Sequence, residues 1–195
     1  MKQVHISCFV LILLVLSAVC FADNLDEALK AANVGDYAKA YQLMLLDAEQ
    51  GNAIAQTNVG LMCNDGLGVP QDEKKAVWWY RLAADQGYPR AQYYLGTMFE
   101  EGHGVPQDYK EAAKSYRLAA IQGYVKAQFK LGLMYLRGQG VMQSNESAYA
   151  WWSVAATNGH EEALKYRASA EEQMTPQQIA AAQQIAKQIW TEIGH

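Results

Sequence analysis

The chain is poor in cysteine, in positive charge and in catalytic signatures. It has three cysteines in 195 residues, and two of them, Cys8 and Cys20, lie in an N-terminal apolar segment. Once that segment is removed only Cys63 remains, so no intramolecular disulfide is available and packing must hold the fold. The formal net charge of −4 argues against nucleic-acid binding, which usually shows a basic patch. There is no Gly-x-Ser-x-Gly elbow, no Ser-x-x-Lys, no Lys-Thr-Gly and no His-Glu-x-x-His. Hydrolase, β-lactamase and zinc-protease chemistry therefore lack their motifs, and the expectation is a protein that is not an enzyme and needs no cofactor.

Long hydrophobic runs are also scarce. The one candidate, Ile6–Leu16, follows Lys2 and precedes Cys20-Phe21-Ala22, which places small residues at −3 and −1 of a cleavage site. This pattern reads as a secretory signal peptide over residues 1–22. The run is short for a membrane span. The expectation is a periplasmic or secreted protein with no stable span after cleavage. Two alternatives stand beside it, an uncleaved anchor and lipidation at Cys20. A lipid-attachment box wants Leu at −3 and Gly or Ala at −1, where this chain has Ser17 and Val19.

What the chain does have is self-similarity. Ala91–Asp108 (AQYYLGTMFEEGHGVPQD) recurs upstream as Ala55–Asp72 and downstream as Ala127–Ser144, each displaced by 36 residues. A fixed period of this size marks a stacked repeat. Each copy reads as two helices. In the first, Ala91, Leu95 and Met98 and their counterparts fall at helical spacing. Pro89 suits the first helical position, and Gly66, Gly102 and Gly138 stand where a left-handed glycine would end the helix. Pro70 and Pro106 keep the linker out of a helix. Asp72, Asp108 and Ser144 are N-cap candidates for the second helix, and Asp108 with Glu111 resembles a capping box. That helix carries Ala76, Tyr80, Ala83 and Ala84, repeated as Ala112, Tyr116, Ala119, Ala120 and as Ala148, Trp152, Ala155, Ala156. Gly60, Gly96 and Gly132 sit inside the first helices, where an interior Gly costs about 1 kcal/mol against Ala. Their shared register predicts that another backbone passes close by.

The organisation that follows is a signal peptide at 1–22, a degenerate capping helix pair at 23–52 and repeats at 53–88, 89–124 and 125–160. C-terminal helices at 161–195 close the stack. Thr175, Pro176 and Gln178 open the last helix as N-cap, first position and capping-box partner. Its stripe of Ile179, Ala182, Ala186, Ile189, Trp190 and Ile193 should cover the end of the stack, because a terminal repeat must not leave a bare apolar face.

Ala91-Gln92-x-x-Leu95-Gly96-x-Met98, Gly102-x-Gly104-Val105-Pro106-Gln107-Asp108 and Ala119-Ala120-x-x-Gly123 resemble the Sel-one-like repeat family, 36-residue relatives of tetratricopeptide repeats. The resemblance covers most of residues 35–173. It implies an all-α, right-handed α-solenoid of stacked helix pairs whose inner surface holds a protein or peptide. The linker looks bacterial, which with the export signal implies a scaffold or adaptor of the cell envelope. One branch of the family ties each helix pair with a disulfide, and some of its members bind or slowly hydrolyse β-lactams. Those cysteines are absent here. The alternative reading, a cell-wall or β-lactam ligand-binding protein or weak hydrolase, therefore loses its branch as well as its motifs.

Candidate partner-binding residues are those that escape the repeat pattern beside positions that obey it. In solenoids of this kind the first helices line the concave side, and there Tyr94, Glu101, Lys126, Lys130 and Arg137 vary between copies while Leu95, Ala127 and Leu131 do not. The bland reading is an ordinary solvated helix face. Trp78 is a further candidate, since its counterparts are Lys114 and Ala150 and an exposed Trp is a common binding anchor; it could equally pack on the N-terminal cap. Cys63 aligns with Phe99 and Tyr135 and reads as a buried, inert thiol. Glu100, Glu101 and His103 could be taken for a metal site, but their counterparts do not keep the ligands, and a solvated helix end is the better reading. His160 opens a helix and should be a surface residue.

Overall fold

The structure is a computed structural model, and it describes residues 24–194. The signal-peptide reading of residues 1–22 falls outside the described residues. Among those described there are ten helices and no strand. They form two compact units, up to Leu82 and from Ala83 onward.

The first unit holds α1 (24–33), α2 (Tyr37–Glu49), α3 (Ala53–Asp65) and most of α4 (Glu73–Asp85). Asp36 caps α2 by accepting from Lys39 N–H, and Asn52 caps α3 by accepting from the N–H groups of Ile54 and Ala55. Each cap satisfies donors that have no partner inside the helix. Ala40, Ala55, Val59, Cys63, Ala76 and Tyr80 form its buried positions. The Cys63 thiol is fully buried, and burial pushes its pKa up. It behaves as a small apolar side chain, as the repeat alignment predicts.

The second unit continues with α5 (Pro89–Glu101), α6 (Tyr109–Ala120), α7 (Val125–Arg137), α8 (Asn145–Thr157), α9 (Glu161–Glu171) and α10 (Pro176–Ile193). Pro89 stands at the start of α5, and Gly102 and Gly138 end α5 and α7 with φ of 76° and 65°. Asp108 caps α6 and Ser144 caps α8. The capping box at Thr175 and Gln178 is complete. At Asp108 only the N-cap half forms, because the Glu111 carboxylate lies 3.5 Å from Lys114 Nζ instead. The core of this unit joins Ala112, Tyr116, Ala119 and Ala120 of α6 to Leu131 and Met134 of α7 and to Ala150, Trp151 and Val154 of α8. Ala186 and Ile189 of α10 pack into the same cluster, so the last helix covers the apolar face of α8.

The interior glycines answer to a side chain, not to a backbone. A Cβ on Gly60 would lie 2.6 Å from the Tyr80 ring, and one on Gly96 would lie 2.8 Å from the Tyr116 ring. A Cβ on Gly132 would collide with the Trp152 indole. In every repeat the large aromatic of the second helix packs against the glycine of the first, and all three rings are buried. The expected close backbone lies elsewhere, at the second linker glycine. Gly68 abuts the Tyr37 carbonyl and Gly140 abuts the Tyr109 carbonyl, both with positive φ. No other residue type fits both constraints there.

Candidate functional site

Three repeated glutamines, unassigned by the sequence reading, lock successive helices together. Gln56 Nε2 donates to the Ala48 carbonyl at 3.1 Å, and Gln128 Nε2 donates to the Ala120 carbonyl at 3.1 Å. Gln92 makes the same bond to Ala84 at 3.4 Å. All three are buried. The side-chain oxygens of Gln92 and Gln128 are used as well, since Gln122 donates to Gln92 at 2.8 Å and Asn158 donates to Gln128 at 3.1 Å. Each glutamine thus adds a bond at the end of the preceding helix, and Gln92 and Gln128 also tie in a residue 30 positions on. The sequence signal was the invariant Ala-Gln at 55–56, 91–92 and 127–128. This scaffold sets the first helices and with them the candidate surface.

On that surface the rings of α5, α6 and the turn before α7 gather. Tyr93 lies 5.4 Å from Tyr94, 5.6 Å from Tyr116 and 5.2 Å from Tyr124 between ring centroids. The Arg90 guanidinium sits 5.7 Å over the Tyr94 ring, within cation–π range. Beneath them Tyr116 donates to Glu100 at 2.5 Å, and Lys130 Nζ pairs with the same carboxylate at 2.9 Å. Thr97 lies 3.2 Å from the Tyr116 hydroxyl. Burial, followed by the Glu100 charge, holds the Tyr116 phenol well above its usual range. Burial likewise raises Tyr93 and Tyr124.

The candidates separate on this geometry. Tyr94 is half-buried in the ring cluster. Lys126 and Arg137 are exposed, with no ion-pair partner among the described residues. Lys130, a candidate for partner binding, is not a free charge. Its ammonium is held between α5 and α7 by Glu100, and its side chain is 26% exposed. Glu101 is exposed and pairs with His103 at 3.3 Å. Glu100 turns away toward Tyr116 and Lys130, so these three residues do not converge. Among the described residues no group of three His, Cys, Asp or Glu side chains is placed to hold a metal ion. Trp78 lies in the first unit, 54% exposed, edge-on to Trp79 at 4.5 Å. His160 corrects the surface reading, since its imidazole accepts from Ala163 N–H and stacks on Phe129 at 4.4 Å.

A small cavity of about 130 Å³ lies among α7, α8 and α9, with Trp152, Tyr166 and Leu136 on its walls and Asn145, Ser169 and Gln173 supplying polar groups. It was not legible in the sequence, because its lining is brought together from three separate elements.

Comparison with known proteins places this architecture. The family model described as Sel1 repeat matches residues 53–88, 89–124 and 125–160. Among solved structures, the chain is similar to a protective antigen of uropathogenic Escherichia coli strains displaying an SLR fold. The TM-score is 0.76 at 32% identity, covering 87% of this chain and 41% of that one. A Sel1 repeat protein from Oxalobacter formigenes aligns with TM-score 0.68 at 32% identity, covering 71% of this chain and 57% of that one. This chain thus spans well under two thirds of either relative. Helicobacter pylori cysteine rich protein B shares the fold, with TM-score 0.53 at 21% identity over 69% of this chain and 98% of that one. No curated protein matches. Sel1 repeats generally serve as scaffolds for protein interaction. With three matched repeats, each closed by a glycine–aromatic contact and a buried glutamine bond, the chain belongs to the Sel1 repeat family.

Proposed function

We propose that the chain is a non-catalytic scaffold of the bacterial cell envelope, periplasmic or secreted, that binds a protein or peptide on the first-helix face of α5 and α7. One observation carries this reading. The tyrosine cluster around Tyr93 offers half-exposed ring faces on which Arg90 already rests, beside the register that carries Lys126 and Arg137. Rigid aromatic area with cations around it suits a partner segment with acidic and apolar side chains. Glu100 and Lys130 support the platform from within and neutralise each other.

A pull-down from envelope extract with the processed chain identifies the partner. Its affinity is then measured for Tyr94→Ala and for Lys126→Glu/Arg137→Glu at low and high salt. The double charge reversal should weaken binding most at low salt, because rim charges act mainly on association. Tyr94→Ala should weaken it at both. Folded variants that all bind like the parent would reject this face and turn attention to Trp78.

A second reading, a cell-wall or β-lactam ligand-binding protein or weak hydrolase, draws on the cavity beside Trp152 and Tyr166. Turnover of nitrocefin by the processed chain would favour it over the scaffold.

A further inference from the structure

The cavity among α7, α8 and α9 stands where the preceding repeat is closed by charge. A shift of 36 residues takes Leu136 back to Glu100, Trp152 to Tyr116 and Tyr166 to Lys130. In the preceding repeat those three residues fill the corresponding space. Lys130 Nζ meets the Glu100 carboxylate at 2.9 Å, and the Tyr116 hydroxyl donates to the same carboxylate. The last repeat keeps neither charge. Leu136 cannot pair, and Tyr166 lies against Trp152 with 5.2 Å between ring centroids. The Trp152 indole N–H donates to the Phe129 carbonyl at 3.3 Å. About 130 Å³ of space is left, walled by two rings and a leucine.

The lining sets the chemistry of an occupant. None of the lining residues carries a charge, and beside the apolar walls stand Asn145, Ser169 and Gln173. The side chains of these three make no hydrogen bond among the described residues. Ser169 and Gln173 are exposed, so the cavity opens to solvent at that end. An ion entering it would lose hydration and meet no countercharge. A neutral ring incurs no such penalty and gains contact with aromatic walls. A cavity of about 150 Å³ is enough for one benzene-sized ring. We propose that this cavity is a binding site for a free, uncharged aromatic molecule of about one ring. The ring packs on Trp152 and Tyr166, and a single amide or hydroxyl group bonds Asn145, Ser169 or Gln173 at the mouth. The inference rests on the second reading above only in that the cavity takes a ligand, and it narrows that ligand to a neutral ring.

The test titrates the processed chain with benzamide, benzoate and benzylammonium, three rings of similar size that differ in charge. The Trp152 indole N–H is followed by NMR. Benzamide should shift that signal saturably with a Kd of about 1 mM or below, within reach of a fragment of its size. Benzoate and benzylammonium should bind at least about tenfold more weakly. Leu136→Glu/Tyr166→Lys rebuilds the ion pair of the preceding repeat, and Ala170→Leu fills the cavity with an apolar side chain. Either variant, once shown to be helical and to melt cooperatively, should lose benzamide binding. If neither folds, the charge series in the parent decides by itself. No shift with benzamide at about 10 mM, tenfold above the expected Kd, overturns the inference. So does equal affinity for the three probes, or full benzamide binding by a folded variant with the cavity closed. Nitrocefin turnover by a chain that ignores benzamide overturns this ligand class alone, and a chain that does neither overturns the ligand reading with it.

Discussion

Gly96 has room for a hydrogen and little else, because the Tyr116 ring lies where a side chain would begin. Two effects oppose each other on substitution. Replacing an interior helical Gly gains up to about 1 kcal/mol in propensity. Overpacking costs about 1–3 kcal/mol. Tyr116 is fully buried, and its hydroxyl is fixed by Glu100 and Thr97, so the ring cannot yield cheaply. Overpacking therefore wins. Gly96→Leu should destabilise by about 2 kcal/mol or more, whereas Glu101→Leu should stay within about 0.5 kcal/mol of the parent. The exposed Glu101–His103 pair contributes little. Urea midpoints of the two variants check this, and equal midpoints would show that the ring does not depend on the glycine. The repeated glycine was visible in the sequence. That its neighbour is a ring was not, because register alone cannot tell which element fills the space above a bare Cα.

Between elements the decisive groups are the buried amides. Gln128 bridges the Ala120 carbonyl at the end of α6 and the Asn158 amide after α8. Replacing it with Leu keeps the volume but removes both of its bonds, so that the Ala120 carbonyl keeps only the Gly123 N–H and the Asn158 amide loses its partner; two such bonds together are worth about 1–3 kcal/mol. Gln122 also links repeats, yet it is exposed and water can replace its bonds. Gln128→Leu should therefore lower the melting temperature by several degrees, at about 2–4 °C per kcal/mol for a chain of this size. Gln122→Leu should lower it far less. Calorimetry on both variants checks the ranking. Helix boundaries were legible because caps, prolines and glycines act locally. The glutamine bonds were not, because they join residues 8 and 30 positions apart.

For the molecule as a whole, alkaline pH is the sensitive direction. Burial raises the phenols of Tyr93, Tyr116 and Tyr124, and the Glu100 charge adds to the rise at Tyr116. A phenol whose pKa is higher when folded binds its proton more tightly there than in the unfolded chain. Its contribution is complete below the unfolded value of about 10 and is lost as pH rises through the folded value. Thermal stability should thus be flat across neutral pH and fall above about pH 10. Tyrosinate absorbance should appear together with unfolding, and Tyr116→Phe should make the fall shallower. Phenols that ionise freely in the folded chain near pH 10 would contradict the buried cluster.

The sequence by itself determined the all-helical repeat, its period, its caps and the face of each helix that turns inward, because periodicity and capping are short-range properties of the chain. Only the tertiary structure decided which residues meet. It made Lys130 the partner of Glu100 and brought His160 onto Phe129. Charge and exposure belong to the space around a side chain, and that space is made by residues a repeat or more away.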